Sequence, residues 1–177
     1  MKRCFFLLLL CGCSFFSKTK SQIYSLERIP GAAVAAAGAP VGIDSIELPP
    51  GFDRKEIVVR KANNQLDVRG TQQWAAPLTD LVTHALAFDL ASRLPEGMVV
   101  LPGQAKPTGT MRPIFVVFEE LAAGRDMQFT LDAHWTVGTT THHEHIAIPM
   151  PWLESANVAR GMSQALAQLA DRIAAGV

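Results

Sequence analysis

The sequence PIFVVFEELAAGRDMQFTLDAHWTVGTTTHHEHIAIP, residues 113–149, contains three consecutive segments rich in apolar and β-branched residues. The segments are Pro113–Glu120, Met127–Val137 and His143–Pro149. Turn-forming residues separate them, with Gly124–Asp126 after the first and Gly138–Thr141 after the second. β-Branched and aromatic residues favour strands, and consecutive strands joined by short turns pair antiparallel. This stretch therefore predicts a three-stranded β-meander.

Amphipathic helices are predicted on both sides of this meander. From about Thr71 to Leu94, apolar residues recur at steps of four and three and form one stripe. The stripe consists of Trp74, Leu78, Leu81, Ala85 and Phe88. Thr71 is a suitable N-cap, and Pro95–Gly97 would end the helix. A second stripe, from about Ser155 to Ala175, consists of Val158, Met162, Ala165, Leu166, Leu169 and Ile173.

Shorter strand patterns precede the meander. They are Ile23–Leu26, Val41–Leu48, Ile57–Arg60, Gln65–Arg69 and Met98–Leu101. Asn63 and Asn64 tolerate positive φ and predict a hairpin between the third and fourth of these strands. The alanine- and glycine-rich segment 31–40 predicts a mobile loop, with a short apolar helix as the alternative. We therefore expect one α/β domain over residues 23–177, with a mixed, largely antiparallel β-sheet covered by two main amphipathic helices.

The amino terminus has the pattern of an export signal. Lys2 and Arg3 precede a short apolar run that ends in Leu10-Cys11-Gly12-Cys13. The run is too short to span a bilayer, which requires about 20 apolar residues. This pattern resembles the lipobox of bacterial lipoproteins, and the alternatives are an ordinary signal peptide and a frayed buried segment. The resemblance implies a signal peptide at residues 1–12, lipid attachment at Cys13 and a lipidated tether at residues 13–22.

Composition excludes several classes of function. All three cysteines lie in the first 13 residues, so the remaining chain has no disulfide framework. The 16 basic and 16 acidic residues balance, and removal of residues 1–12 with Lys2 and Arg3 gives a formal charge of −2. With no basic run to neutralise phosphates, we expect no binding to nucleic acid.

Several segments together resemble the ABC-type transport auxiliary lipoprotein family, which includes the paraquat-inducible lipoproteins of Gram-negative bacteria. The similarity begins at Cys13 and Tyr24–Leu26 and covers nearly the whole chain after the leader. It is strongest at Leu48–Pro49, Asp53–Arg54, Ile57–Arg60, Leu66 and Trp74–Leu78.

The resemblance implies a noncatalytic, lipid-anchored subunit of an intermembrane transport system for lipids or other hydrophobic compounds. Its partners would be a mammalian-cell-entry type subunit and the associated ABC transporter. Ser14 after the acylated Cys13 is consistent with an outer-membrane anchor and a domain that faces the periplasm. The family implies no catalytic residues and no cofactor. Lipid cargo on the domain and homo-oligomerisation remain open, and the alternatives are a free-standing lipid-binding lipoprotein and a metal-dependent periplasmic enzyme.

The segment His142-His143-Glu144-His145 is the constellation that favours the enzyme alternative, since imidazole and carboxylate groups bind transition metals. On a strand, His143 and His145 share one face, while His142 and Glu144 point to the other. One face therefore offers two ligands and needs a third, for which His134 is a candidate. We expect a polar, partly exposed strand face and no metal site.

The remaining candidates are better explained by structure than by chemistry. Trp74 lies on the predicted helical stripe and is expected in the core, whereas Trp152 precedes the last helix and is the better candidate for an exposed contact. Asp53–Arg54 and Glu119–Glu120 have no accompanying nucleophile and are expected to be surface charges. The sequence contains neither a phosphate-binding P-loop nor a Gly-x-Ser-x-Gly motif.

Overall fold

A computed structural model describes residues 20–105 and 107–177 of this protein. The predicted signal peptide, the predicted lipid attachment at Cys13 and most of the predicted tether therefore lie outside the described residues. The described strands are β1 (Gln22–Tyr24), β2 (Val41–Glu47), β3 (Glu56–Arg60), β4 (Leu66–Trp74), β5 (Val99–Val100), β6 (Arg112–Ala123), β7 (Gln128–Val137) and β8 (Thr140–Pro149). The helices are α1 (Leu78–Ala91) and α2 (Ser155–Ala175).

Strand β6 is the centre of the sheet. One edge of β6 pairs antiparallel with β7, which pairs antiparallel with β8. The other edge pairs parallel with β2 and, at its end, with β3. The sheet continues from β3 to β4 and β1, and from β2 to β5. The long antiparallel ladders lie in the meander, and the prediction of a mixed α/β domain with two helices is confirmed.

One face of the meander packs against the helices. Alternate side chains of β7 are buried: Phe129, Leu131, Ala133, Trp135 and Val137. The same core contains the predicted apolar residues of α2, and α2 has the predicted bounds. Burial of a large apolar side chain contributes roughly 1.5–3 kcal/mol, so this layer provides much of the driving force for folding.

The predicted start of the first helix at Thr71 is wrong. Residues 71–74 belong to β4, in which Gln73 pairs with Glu56 and Trp74 pairs with Tyr24. The helix begins at Leu78 because Pro77 disfavours helical backbone in the residue before it. Trp74 is nevertheless only 3% exposed, so the prediction that it packs in the core is confirmed although its place on a helix is not.

The alanine-rich segment 31–40 contains neither helix nor strand. Its first half is held against the end of α1, because Gly31 N–H donates to Ser92 Oγ and Val34 N–H donates to the Arg93 carbonyl oxygen. The predicted hairpin after β3 is confirmed, and its turn residue Asn63 has φ of 59°. Asparagine is among the residues that adopt this left-handed conformation most readily.

Candidate functional site

The meander has a second face, which we call the open face. It consists of the side chains that alternate with the buried ones on β6, β7 and β8, and the helices do not cover it. Its main residues are Phe115, Val117, Glu119, Asp132, His134, Thr136, Thr141, His143 and His145. Because successive side chains of a strand point to opposite faces, the registers of β6–β7 and β7–β8 place these groups side by side.

The polar half of the open face is a cluster of imidazoles and carboxylates. His134 on β7 lies directly opposite His143 on β8, and their ring centroids are 4.7 Å apart. His134 Nε2 lies 3.2 Å from Glu119 Oε1. Asp132 Oδ2 is 3.0 Å from His145 Nδ1, and Asp132 Oδ1 contacts His143 Nε2.

The Asp132 carboxyl group of this cluster has a shifted pKa. Partial burial alone would raise the pKa of its carboxyl group, but hydrogen bonds with His145 and His143 outweigh that effect. The pKa of Asp132 therefore lies below its ordinary value. The carboxylate is held in its charged form between two imidazoles.

The predicted alternation along the histidine segment is confirmed. His143 and His145 lie on the open face, whereas His142 faces the helix side and stacks on Trp135 at a centroid distance of 4.1 Å. Glu144 lies 3.7 Å from Arg172 of α2. His134, the predicted candidate for a third ligand, is adjacent to His143.

Sequence reasoning missed the role of a bulge in β6. The register between β6 and β7 shifts between Phe118 and Glu120, so Glu119 has no residue of β7 opposite it. A bulge redirects side chains locally, and here the Glu119 carboxylate lies beside His134. The alternating pattern of a regular strand gives no signal for such an insertion.

The apolar half of the open face lies nearer the start of β6. Phe115 is 39% exposed and Val117 is 42% exposed, although both lie within the long strand β6. Both faces of β6 are apolar here, so the sequence alone did not identify these residues as exposed. Exposed apolar groups with a polar border are typical of protein contact sites.

The other sequence candidates occupy surface positions. Arg54 pairs with Glu56 at 3.1 Å, and Glu120 pairs with Arg60 at 3.0 Å. Trp152 is 66% exposed in the turn before α2, as predicted. Arg54 and Glu120 are thus surface charges in ion pairs, and a surface position was predicted for both.

Surface depressions are also present. One depression of about 440 Å³ lies beside the end of β4 and is lined by Asp53–Lys55 and Trp74–Pro77. Its volume is in the range of small-molecule sites. Among the described residues, neither helix is long and apolar enough to span a membrane.

Solved structures with the same architecture exist. A crystal structure of an uncharacterized protein superposes with a TM-score of 0.72 at 16% sequence identity, and the match covers 89% of this chain and 99% of that chain. Protein XCC0632 from Xanthomonas campestris, of family model DUF330, superposes with a TM-score of 0.69 at 15% identity. That match covers 87% of this chain and 93% of the other. At such identities the likeness shows the fold alone.

Sequence comparison assigns the family. No curated protein matches the chain. A family model for the ABC-type transport auxiliary lipoprotein component matches residues 24–174, which include every described strand and helix in whole or in part. The chain therefore belongs to the family of ABC-type transport auxiliary lipoprotein components.

Proposed function

We propose that this protein is a noncatalytic, lipid-anchored subunit that docks onto a mammalian-cell-entry type component of an ABC intermembrane transport system. The family match over residues 24–174 carries this proposal. Cys13 is the lipid attachment site, and the anchor lies in the outer membrane with the domain in the periplasm. The transported compounds are lipids or other hydrophobic molecules.

The tether permits such an arrangement. Nine residue steps separate Cys13 from Gln22, the first residue of β1. A fully extended chain spans at most about 3.3–3.6 Å per residue, which gives a reach of roughly 30 Å. The domain can therefore stand off the membrane surface while its acyl chains remain inserted, and multiple chains anchor a protein stably.

The apolar half of the open face is the proposed docking surface. Phe115 and Val117 lie on a rigid central strand and lose no backbone freedom when a partner covers them. Aromatic and aliphatic groups at the centre of an interface, with a polar rim, commonly provide most of the binding energy. The His134 and Asp132 cluster provides such a rim on one side.

Affinity purification tests the proposal. The full chain with a carboxy-terminal tag is purified from native membranes in mild detergent, and mass spectrometry identifies the bound proteins and lipids. We expect a mammalian-cell-entry type subunit and its ABC transporter to copurify. Enriched lipids would indicate direct contact with cargo. A lipidated protein without these partners would contradict the proposal and favour a free-standing lipid-binding lipoprotein.

A matched pair of variants tests the docking surface. The double variant Phe115→Thr, Val117→Thr keeps residues that favour strands but removes most of the exposed apolar surface, so partner recovery should fall. Ile23→Thr is the control, because Ile23 is 58% exposed on the edge strand β1. If both variants recover the partners equally well, the open face is not the docking surface. The family assignment would be unaffected.

A further inference from the structure

Three potential metal ligands meet on the polar half of the open face. They are the Glu119 carboxylate and the imidazoles of His134 and His143, and one ligand atom of each lies within 4.8 Å of the others. Each residue comes from a different strand of the meander, so the arrangement depends on the register of β6, β7 and β8.

The backbone holds two of these ligands in a fixed relationship. His134 and His143 are directly opposed across the β7–β8 ladder, where Cβ atoms are typically about 4.5–5.5 Å apart. The bulge in β6 adds the third ligand, because Glu119 has no partner on β7 and its carboxylate reaches His134. The scaffold is therefore a rigid sheet, and the ligands need only side-chain adjustments to meet one ion.

One of the three separations between ligand atoms already suits a tetrahedral ion, and the others lie within 4.8 Å. Zn–N and Zn–O bonds of about 2.0–2.2 Å place neighbouring ligand atoms roughly 3.3 Å apart. His134 Nε2 and Glu119 Oε1 are 3.2 Å apart, which already matches this value. All three ligand side chains are well exposed, with fractions of 61% for Glu119, 42% for His134 and 50% for His143, so an ion reaches them without any opening of the fold.

Asp132 supplies the supporting contact that metal-bound histidines usually have. Its Oδ1 accepts a hydrogen bond from His143, and its Oδ2 accepts one from His145. A carboxylate that holds a ligating imidazole fixes the ring orientation and raises the basicity of the ligand. His145 is thus a neighbour of Asp132 and lies outside the group of three.

We propose that Glu119, His134 and His143 bind one divalent transition-metal ion of the Zn²⁺ class. Asp132 orients His143, and water fills the fourth coordination position. Two imidazoles and one carboxylate favour transition metals over Mg²⁺ and Ca²⁺, which require more oxygen ligands. The proposal departs from the sequence-based expectation of a plain polar face because the bulge contributes Glu119, which that expectation treated as a surface charge.

Metal titration of the full lipidated chain in detergent tests the site. The protein carries a tag without histidine, is stripped with a chelator and is titrated with Zn²⁺ by calorimetry, with Co²⁺ absorption as the report of tetrahedral geometry. We expect one equivalent of bound Zn²⁺ and a tetrahedral Co²⁺ spectrum. Absence of saturable binding with one equivalent would overturn the proposal.

Single substitutions assign the ligands. His134→Asn, His143→Asn and Glu119→Gln should each weaken Zn²⁺ binding about tenfold or more, and Asp132→Asn should weaken it about tenfold. His84→Asn is the matched control, because the His84 side chain is exposed on α1 and bonds the Asp80 carbonyl oxygen. We expect no change in Zn²⁺ affinity for this control and only a small change for His145→Asn. The assignment would be overturned if the cluster variants bound Zn²⁺ as tightly as the native protein. It would also be overturned if His145→Asn lost Zn²⁺ binding while Glu119→Gln retained it.

Discussion

Arg93 Nε donates to Asp171 Oδ1 at 2.5 Å and thereby joins the end of α1 to α2 across 78 positions of sequence. The Arg93 side chain is only 2% exposed, whereas that of Asp171 is 54% exposed. The guanidinium also donates to the carbonyl oxygens of Ile29 and Asp89 through Nη1 and of Ala167 through Nη2. One buried cation therefore holds both helices and the segment before β2 together.

Arg93→Ala should lower the free energy of unfolding by about 2–4 kcal/mol, because it leaves buried carbonyl groups without a donor and removes packed side-chain volume. Lysine at this position should not restore stability, since an ammonium group lacks the planar donor fork of a guanidinium. Thermal unfolding followed by tryptophan fluorescence measures both variants. Asp171→Asn is the control, since it retains an acceptor at a half-exposed position and should change stability by less than about 1 kcal/mol.

Asp89 predicts a specific dependence of stability on pH. Burial raises the pKa of Asp89 to about 6, although its hydrogen bond from Ile29 N–H and the Arg93 charge act in the opposite direction. The native state therefore binds more protons than the unfolded chain between about pH 4 and 6. The contribution of Asp89 to stability falls as pH rises through this window. Above about pH 6 the native state bears the full free-energy cost of burying the ionised carboxylate.

Asp89→Asn stays neutral at every pH and keeps an oxygen acceptor for Ile29 N–H. The stability of this variant relative to the native protein should rise by roughly 2–3 kcal/mol between pH 4 and pH 7. Urea unfolding of both proteins at pH 4, 5.5 and 7 measures this difference. A difference that stays constant with pH would contradict the proposed desolvation of the carboxylate.

Gly161 permits close packing of α2 on the sheet. An added Cβ at this position would lie 2.9 Å from Phe129 Cβ and 3.2 Å from Met150 Sδ. Alanine gains about 1 kcal/mol of helix propensity over glycine, but overpacking typically costs about 1–3 kcal/mol. Gly161→Ala should therefore be destabilising in thermal unfolding, while Gln164→Ala on the exposed side of α2 should be nearly neutral. Increased stability of Gly161→Ala would mean that α2 moves away from β7 at little cost.

Cys13→Ala tests the proposed anchor. To separate lipidation from cleavage of the leader, residues 1–12 are replaced by an ordinary cleavable export signal in the variant. We expect this protein in the soluble periplasmic fraction, because no acyl chain remains to hold it at a membrane. The native chain and Ser14→Ala should stay in the membrane fraction. Tight membrane association of the cysteine-free chain would contradict the assignment of Cys13.

Local patterns predicted many of the elements. The bounds of α2 are those expected from its apolar stripe, and all three strands of the meander were predicted, although β6 continues to Ala123 and β8 already begins at Thr140, inside the predicted turn. Long periodic segments are predictable because one buried face imposes a repeat on the neighbouring residues. The helical repeat gave a wrong prediction at Trp74, because this last residue of strand β4 also fits the spacing of the apolar stripe.

Other features arise from contacts between distant segments. The parallel pairing of β2 with β6 joins residues about 70 positions apart, and the site depends on a bulge that brings Glu119 beside His134. Arg93 is likewise buried among segments that no local pattern connects. The apolar and polar periods of the chain were enough to indicate most strands and helices, because they reflect interactions within a few residues, whereas the family resemblance came from particular residues such as Leu48–Pro49 and Trp74–Leu78. Strand order, register and the assembly of the open face depended on packing of the whole domain. The contacts that stabilise them join residues far apart in the chain, so no local pattern reveals them.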